Sequence, residues 1–392
     1  MKRTDENRIS PVPWTLVALL LVILAGLLVL RLFAAKEGAP APDPTPIPTA
    51  TPSPTPDPAQ RMLAGLTDHE KICQLLIVHP EALTGKTVTK ADETLEAALE
   101  AYPVGGVLLD NGNMKSRDQL TALTAALGGR HMLITVDEEG GRVARLMTSV
   151  GTTWLGSMYS YRSGGPETAA QNAMTIGKDL RSCGFNTDFA PVADVWSNPK
   201  NTVIGDRAYS DDYDEAAELV AAAVEGFHKA GTICCLKHFP GHGSTLADSH
   251  EGTAIVDKTL KELREQDLKP FVSGIEAGAD LVMVGHLTVP KVDDIPACMC
   301  KKLVEDLLRD ELGFDGVIIT DGLQMAGAGT GSDGEKAVKC LQAGCDLLLE
   351  VSDVKGTAEA IQAALDDGTL TRQRLDESVL RVLRLKMAYG IL

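Results

Sequence analysis

The chain has 392 residues, of which 44% are hydrophobic and 23% charged, the balance of an ordinary globular protein. That length accommodates two average domains or one α/β barrel of roughly 250 to 350 residues. The formal net charge of -17 comes from the residues after position 60, because the acidic and basic side chains of the first sixty residues cancel. Nucleic acid is therefore not expected as a partner, because phosphate contacts require Lys and Arg.

The N-terminus has the pattern of a membrane-targeting segment. Three basic residues precede an apolar run over residues 14–30 that resumes after Arg31. The run is longer than most signal-peptide cores, which favours an uncleaved anchor over a cleaved signal. Because positive residues stay inside, we expect residues 1–13 in the cytoplasm and residues 14–33 as a transmembrane anchor or signal segment. The protein would be held at the cell membrane by a single pass with the rest of the chain extracellular, or secreted if the segment is cleaved.

Residues 34–60 have the composition of a Pro/Thr-rich linker. Nearly every second residue between positions 40 and 58 is proline, interleaved with Thr, Ala, Ser and Asp. Such a segment cannot form a core and favours an extended polyproline II spacer; a cleavable propeptide is the alternative. At about 3.1 Å per residue, the linker could hold the next domain roughly 60 Å from the bilayer.

Eight cysteines are present, several of them in apolar runs where a free thiol behaves as a small buried hydrophobe. No two of them have the CxxC spacing of a zinc ribbon. Disulfides are therefore disfavoured, and the sequence predicts neither a metal nor a cofactor.

After the linker, short apolar runs alternate with helical patterns, and the capping boxes Thr67-x-x-Glu70 and Thr259-x-x-Glu262 open two of the helices. Eight strands are predicted, at residues 73–78, 106–109, 132–136, 189–192, 233–236, 281–284, 317–320 and 346–349. Helices are predicted between or after them at residues 215–230, 259–278, 301–312, 336–343 and 371–389. This alternation predicts an α/β fold, a single (β/α)8 TIM-type barrel over residues 61–392, rather than an open doubly wound sheet. The first run could equally continue the helix before it.

In such a barrel the active site collects at the C-terminal ends of the strands. Each predicted strand ends at an ionisable residue, in chain order His79, Asp110, Asp137, Asp194, Lys237 with His238, His286, Asp321 and Glu350. For three of them, His79, Asp110 and Glu350, we expect a structural role at the start of the following helix.

The residues alone leave different chemistries open. Asp321 follows an apolar strand with Gly322 beside it, and it could be a nucleophile or a helix N-cap. Lys237, at another strand end, could form a Schiff base as in an aldolase. The stretch 237–250 also contains metal-ligand types, but its Pro and Gly break the helix that a HxxxH zinc motif needs.

Residues 137–145 place two glycines between acidic residues and arginines, which permits a tight turn that brings a carboxylate and a guanidinium to one polar ligand. The polar loop over residues 198–207 offers another arginine. Mixtures of Asp, Arg, Lys and His of this kind suit a sugar, with its dense hydroxyl groups.

Five motifs occur in order: Val136-Asp-Glu-Glu-Gly-Gly-Arg-Val-x-Arg145, Phe189-Ala-Pro-Val-x-Asp194, Val203-Ile-Gly-Asp-Arg207, Lys237-His-Phe-Pro-Gly-His-Gly-x-Thr-x-x-Asp-Ser-His250 and Gly313-Phe-x-Gly-Val-Ile-Ile-Thr-Asp321. Together they resemble glycoside hydrolase family 3, in particular its β-N-acetylglucosaminidase branch. The resemblance covers nearly all of residues 60–392. The fourth motif marks that branch and is lacking in the β-glucosidases of the family.

The resemblance implies a retaining mechanism in which Asp321 is the nucleophile and His250, oriented by Asp248, is the general acid/base. The N-acetylglucosamine would be bound by Asp137, Arg145, Arg207, Lys237 and His238. The implied protein is a monomeric exo-β-N-acetylglucosaminidase that removes terminal N-acetylglucosamine from peptidoglycan-derived fragments. It would work through a covalent glycosyl-enzyme intermediate, with neither metal nor cofactor.

The chain departs from the family pattern at two places. Gly151-Thr-Thr-Trp-Leu stands where a Leu-Pro segment is usual, and Gly322 follows the nucleophile where many members have Asp or Ala. A Schiff-base aldolase and a non-catalytic cell-wall glycan-binding protein remain alternatives. Phosphorolysis, in which phosphate and not water attacks the glycosyl-enzyme intermediate, is a further alternative.

Overall fold

A computed structural model describes residues 14–34, 57–246, 252 and 254–392. The chain divides into two compact units, Met1–Thr55 and Pro56–Leu392. In the first unit, helix α1 (Trp14–Ala34) covers the segment predicted as an anchor. No helix of the described residues is both long and apolar enough to cross a membrane, so the predicted transmembrane segment is not confirmed. The predicted cytoplasmic residues and most of the linker lie outside the described residues.

Eight parallel strands form a barrel in the second unit. They are β1 (Leu76–Val78), β2 (Gly106–Leu108), β3 (Leu133–Val136), β4 (Thr187–Asp188), β5 (Ile233–Phe239), β6 (Leu281–Val284), β7 (Val317–Thr320) and β8 (Leu348–Leu349). Each strand from β1 to β6 pairs in parallel with the next along the chain, and β8 pairs with β1. A single bridge between Ile319 and Leu347 joins β7 to β8. The predicted (β/α)8 TIM-type barrel is confirmed.

Six of the predicted strands have different bounds in the structure, and the first and fourth differ most. Residues 73 and 74 belong to a helix, which the capping box at Thr67 opens as expected, so β1 begins only at Leu76. The strand predicted at residues 189–192 is displaced in the structure, where regular pairing of β4 covers Thr187–Asp188 and only Val192 of the predicted residues forms a further bridge, to Lys237. Pro191 has no N–H with which to continue a regular ladder between them. The chain then stays beside β5 through irregular hydrogen bonds, such as Ala193 N–H to the Lys237 carbonyl at 2.6 Å.

Helices surround the barrel. They are α2 (Pro58–Gly65), α3 (Asp68–Gln74), α4 (Pro80–Thr84), α5 (Glu93–Ala101), α6 (Arg117–Gly128), α7 (Arg145–Val150), α8 (Gly165–Ser182), α9 (Tyr213–Lys229), α10 (Leu260–Glu265), α11 (Lys269–Glu276), the π-helical segment Lys302–Glu311, α12 (Asp333–Ala343), α13 (Val354–Asp366) and α14 (Arg372–Ala388). The single helix predicted over residues 259–278 is two helices. Pro270, in the first turn of α11, has no N–H to continue α10.

The barrel strands are buried along their whole length and share one hydrophobic core with the inner faces of the helices. Additional short strands lie beyond the C-terminal ends of the barrel strands. Glu138–Gly140 pairs with Val143–Ala144 directly after β3, and Leu287–Val289 pairs with Ala254–Ile255 and Asp293–Pro296 after β6. These segments build the walls around the C-terminal mouth of the barrel.

Candidate active site

A cavity of about 300 Å³ opens at the C-terminal ends of the strands. Its polar lining is Asp137, Glu139, Arg145, Arg207, Lys237, His238, His242, Asp321 and Glu350, and its apolar lining is Leu108, Val143, Val203, Met283, Met325 and Leu349. All six predicted site residues that the structure describes therefore line one cavity. The volume lies at the lower end of the range for small-molecule sites, roughly 300–1,000 Å³.

A tight hairpin after β3 supplies one wall. Gly140 and Gly141 have φ values of 85° and 60°, and a Cβ on Gly141 would lie 2.9 Å from the Cα of Ser157, so both the backbone conformation and the packing require glycine. Side chains alternate along an extended strand. Asp137 and Glu139 consequently face the cavity together, whereas Glu138 points away from it.

Glu138 positions Arg145. Its carboxylate accepts hydrogen bonds from the Leu146 and Met147 amides at 2.8 and 3.1 Å, which caps the first turn of α7. Arg145 is the first residue of that helix, and its side chain lines the cavity.

Lys237 lies within β5 and is only 2% exposed. Its Nζ is 2.5 Å from Asp137 Oδ1 and 2.6 Å from Glu139 Oε1. Burial opposes the charged form, but these two carboxylates outweigh it and raise the pKa of the lysine. A lysine held protonated is a poor Schiff-base nucleophile, which disfavours the aldolase alternative.

Glu139 is the site residue that sequence reasoning missed. Its carboxylate receives two hydrogen bonds from Arg207, Nε and Nη2, both at 2.8 Å, besides the contact with Lys237. Burial alone would raise the pKa of Glu139, but the two cations lower it well below its usual range. The alternation of side chains after β3 was the signal that could have identified this residue, since it places Glu139 on the same side as Asp137.

Asp194 holds the two histidines of the loop after β5. It is fully buried and accepts from His238 Nδ1 at 2.6 Å and from the His242 amide at 2.6 Å. With Nδ1 directed to Asp194, Nε2 is the His238 nitrogen that remains for a ligand. His242 forms a hydrogen bond between its Nδ1 and Thr245 Oγ1 at 2.7 Å, and it also lines the cavity.

Asp321 follows β7 directly. Its amide donates to the Val284 carbonyl at 3.0 Å, and its Oδ1 accepts from the Gly322 amide at 2.8 Å. Beneath it, the buried His286 forms a hydrogen bond through Nε2 with the Gly322 carbonyl at 2.8 Å, and its Nδ1 lies 3.3 Å from Cys298 Sγ. The position of Asp321 is thus fixed by the C-terminal ends of β6 and β7 and by the contact of His286 with the neighbouring Gly322.

Glu350 was expected to have a structural role at a helix start, and instead it forms part of the cavity wall. It has a left-handed backbone conformation with φ of 53°, which is uncommon for a residue with a side chain. His79 Nε2 lies 3.0 Å from Oε1 of Glu350, and Gln324 Nε2 donates to Oε2 at 3.0 Å. His79 is therefore hydrogen-bonded to Glu350, and no hydrogen bond from its side chain caps α4. Asp110 accepts from the Gly112 amide at 2.6 Å and stabilises a turn.

The predicted acid/base pair, Asp248 and His250, lies outside the described residues. The loop that carries it leaves the barrel after β5 and returns at Ala254–Ile255, which pairs with Leu287–Val289 beside β6. The roles of Asp248 and His250 stay predictions.

The sequence model of the glycosyl hydrolase family 3 N-terminal domain matches residues 67–385. The chain belongs to glycoside hydrolase family 3. A β-hexosaminidase of Stenotrophomonas maltophilia (strain R551-3) is 41% identical over 263 residues, 64% of this chain and 77% of that protein. A β-hexosaminidase of Idiomarina loihiensis is 38% identical over 292 residues, 72% of this chain and 86% of that protein.

Solved structures of similar proteins agree with membership of glycoside hydrolase family 3. A family 3 β-N-acetylglucosaminidase from Paenibacillus sp. str. FPU-7 matches with a TM-score of 0.78 and 35% identity over 83% of this chain, which spans only 63% of that protein. A β-N-acetylhexosaminidase from Beutenbergia cavernae matches with a TM-score of 0.75 and 27% identity over 82% of this chain and 99% of its own. The protein is a glycoside hydrolase, and its substrate is a carbohydrate.

Proposed function

We propose that this glycoside hydrolase is a retaining exo-β-N-acetylglucosaminidase that removes terminal N-acetylglucosamine from peptidoglycan-derived fragments. The observation that carries the proposal is the position of Asp321 in one small cavity. The polar side chains that share this cavity are of types that bind sugar hydroxyl groups: Asp137, Arg145, Arg207, Lys237 and His238. The names of the β-hexosaminidase and β-N-acetylglucosaminidase relatives support the choice of sugar. A cavity of about 300 Å³ suits one terminal ring, which favours exo cleavage.

In the proposed first step, the Asp321 carboxylate attacks the anomeric carbon, the bond to the leaving oxygen breaks, and a covalent glycosyl-enzyme intermediate forms. His250, oriented by Asp248, protonates the leaving oxygen. In the second step the same histidine removes a proton from water, which displaces Asp321 and restores the original anomeric configuration. A near-neutral pKa suits both halves of this task.

The contacts of the other carboxylates in the cavity support this division of roles. Asp137 and Glu139 accept from Lys237, Glu139 accepts also from Arg207, and Glu350 contacts His79 and Gln324. Against the effect of burial, Lys237 and Arg207 stabilise the ionised form of Glu139 and lower its pKa, so Glu139 is a weak proton donor. A general acid from the loop over residues 247–251 fits this arrangement better than a second carboxylate.

Release of nitrophenol from the β-N-acetylglucosaminide tests the proposal. We expect Asp321→Ala to lose turnover and His250→Ala to lose it more for poor leaving groups than for nitrophenol, because a good leaving group needs little protonation. Asp110→Asn is the matched control, since Asp110 also follows a barrel strand but does not line the cavity. Undiminished turnover in Asp321→Ala would contradict the mechanism.

Three further measurements separate the alternatives. Turnover compared with and without phosphate distinguishes hydrolysis from phosphorolysis. Borohydride trapping of substrate on Lys237 would indicate the aldolase, and glycan binding without any turnover would indicate a wall-binding protein. Release of N-acetylglucosamine from muropeptides faster than from chitin fragments is the result that the peptidoglycan proposal requires.

We further propose that the enzyme acts as a monomer outside the cytoplasm, tethered by residues 14–33 and extended by the linker, or secreted if that segment is cleaved. The sequence pattern of basic residues, apolar run and proline-rich spacer supports this location. Cell fractionation checks it: the enzyme should be found with the membrane, accessible to protease from outside, or in the medium.

A further inference from the structure

A cluster of metal-ligand side chains lies at the opposite end of the barrel from the cavity. His228 is in the last turn of α9, Cys234 is the second residue of β5, and Asp280 immediately precedes β6. One ligand atom from each residue lies within 4.8 Å of the other two, and no other group of His, Cys, Asp or Glu in the described part of the chain meets this condition. Because the cluster is at the N-terminal ends of the strands, it is separate from the glycosidase site.

Two of the three separations between ligand atoms are close to those around a tetrahedral cation. Zinc bonds of about 2.0–2.1 Å to nitrogen, 2.0–2.2 Å to oxygen and 2.3 Å to sulfur place tetrahedral N and O ligands about 3.4 Å apart, and S and N ligands about 3.6 Å apart. His228 Nε2 lies 3.2 Å from Asp280 Oδ2, and Cys234 Sγ lies 3.8 Å from His228 Nε2. Movements of about 0.2 Å at these two edges would therefore admit the ion.

Neighbouring groups already orient the carboxylate. The Tyr389 hydroxyl lies 2.8 Å from both oxygens of Asp280, and the Cys234 amide donates to Oδ2 at 3.0 Å. Outer contacts of this kind fix a ligating carboxylate in metal sites. These contacts join Asp280 to β5 and to Tyr389, the residue that follows α14.

The cluster can also be reached from solvent. The His228 side chain is 31% exposed. Asp280 lines a surface cavity of about 590 Å³, whose wall includes Gly278 and Gly316, two residues without side chains to obstruct it. An ion could therefore enter without unfolding of the barrel.

We propose that His228, Cys234 and Asp280 bind one divalent cation of the zinc class through Nε2, Sγ and Oδ2, with water as the fourth ligand. His, Cys and Asp are the three ligand types that zinc accepts. The ion replaces the thiol proton and any proton on Nε2, so binding releases protons to solvent. Since it would join α9, β5 and the residue before β6, it stabilises the folded barrel by mass action.

A hydrogen-bonded cluster that binds no metal is the competing explanation. Asp280 already receives hydrogen bonds from the Tyr389 hydroxyl and the Cys234 amide and contacts His228, and that network requires no thiol. The decisive measurement must therefore report on the sulfur of Cys234 as a ligand.

The experiment is a titration of the full, reduced protein with Co²⁺ alone, followed by the absorption of thiolate-to-cobalt charge transfer. We expect a saturable band at one equivalent that Zn²⁺ displaces. Cys234→Ser should lose the band, and His228→Gln should bind Co²⁺ at least about tenfold more weakly. Tyr389→Phe should weaken binding roughly 10- to 100-fold, as for other outer contacts. Asp321→Asn is the matched control, and its titration should be unchanged because the active site is at the other end of the barrel.

Absence of the band in the wild type, or an unchanged band in Cys234→Ser, would overturn the proposal. If Cys234→Ser fails to fold, His228→Gln decides the question, because that side chain is partly exposed and its loss leaves the core intact. Equal Co²⁺ affinity in His228→Gln and wild type would then count against the site. Zn²⁺ should also raise the Tm of the wild type and leave that of His228→Gln unchanged.

Discussion

Glu139→Gln tests whether one buried carboxylate organises the cationic side of the cavity. Glu139 is 4% exposed, and its two oxygens contact Arg207 at 2.8 Å twice and Lys237 at 2.6 Å. Removal of one partner from a buried ion pair costs about 3–5 kcal/mol. Glutamine keeps the shape and one acceptor oxygen, so we expect the lower end, about 3 kcal/mol, or roughly a 100-fold change in the folding equilibrium.

Urea unfolding at neutral pH measures the loss, which should appear in the midpoint without a change in slope. The two cations lower the pKa of Glu139 in the folded protein below its ordinary value of 4.5. Its stabilising contribution is therefore complete above that value and is lost as the pH falls toward the folded pKa. The difference between wild type and Glu139→Gln should accordingly narrow below about pH 4.5.

Activity supplies the second readout. Without the negative charge, Lys237 and Arg207 repel each other and leave their positions in the cavity, so kcat/KM should fall at least about 100-fold, the cost of a misplaced binding group. Glu359→Gln, which removes an exposed ion pair with Lys355, is the control and should change neither quantity. An unfolding free energy within about 1 kcal/mol of wild type, together with unchanged kcat/KM, would refute the reasoning.

Three other substitutions follow from contacts around the cavity. A Cβ on Gly322 would lie 2.1 Å from Glu350 Oε2, so Gly322→Ala should lower kcat/KM, and Glu350→Ala in the same protein should recover part of the loss. His286→Leu should lower kcat with little change in KM in steady-state kinetics, because the hydrogen bond below the nucleophile is lost while the sugar contacts remain. A Cβ on Gly243 would lie 1.6 Å from the Val195 carbonyl, so Gly243→Ala should reduce the unfolding free energy by about 1–3 kcal/mol in urea unfolding; unchanged stability would show that the loop can move aside.

The barrel was predictable from sequence where local and tertiary preferences agree. β6 and β7 have the predicted bounds, because each is a continuous apolar run that needs burial on both faces. β4 was misplaced by a similar apolar run, since hydrophobicity does not reveal that Pro191 interrupts the ladder. The split between α10 and α11 has the same origin, because the helical period continues across Pro270.

The site was predictable as a set of strand ends but not as a network. The position of Asp321 after a strand identified it, whereas the role of Asp194 depends on hydrogen bonds to residues more than forty positions away. Likewise, His228, Cys234 and Asp280 have no motif spacing, and only the adjacency of β5 and β6 in the barrel brings them together.

In the proposed mechanism, Asp321 forms a covalent bond to the anomeric carbon of the sugar. The most direct test is incubation with a fluorinated N-acetylglucosaminyl donor, followed by proteolysis and mass spectrometry of the labelled peptide. We expect one sugar adduct on Asp321, and none in Asp321→Asn. An adduct on another residue, or turnover of the donor with inverted product and no adduct, would contradict it.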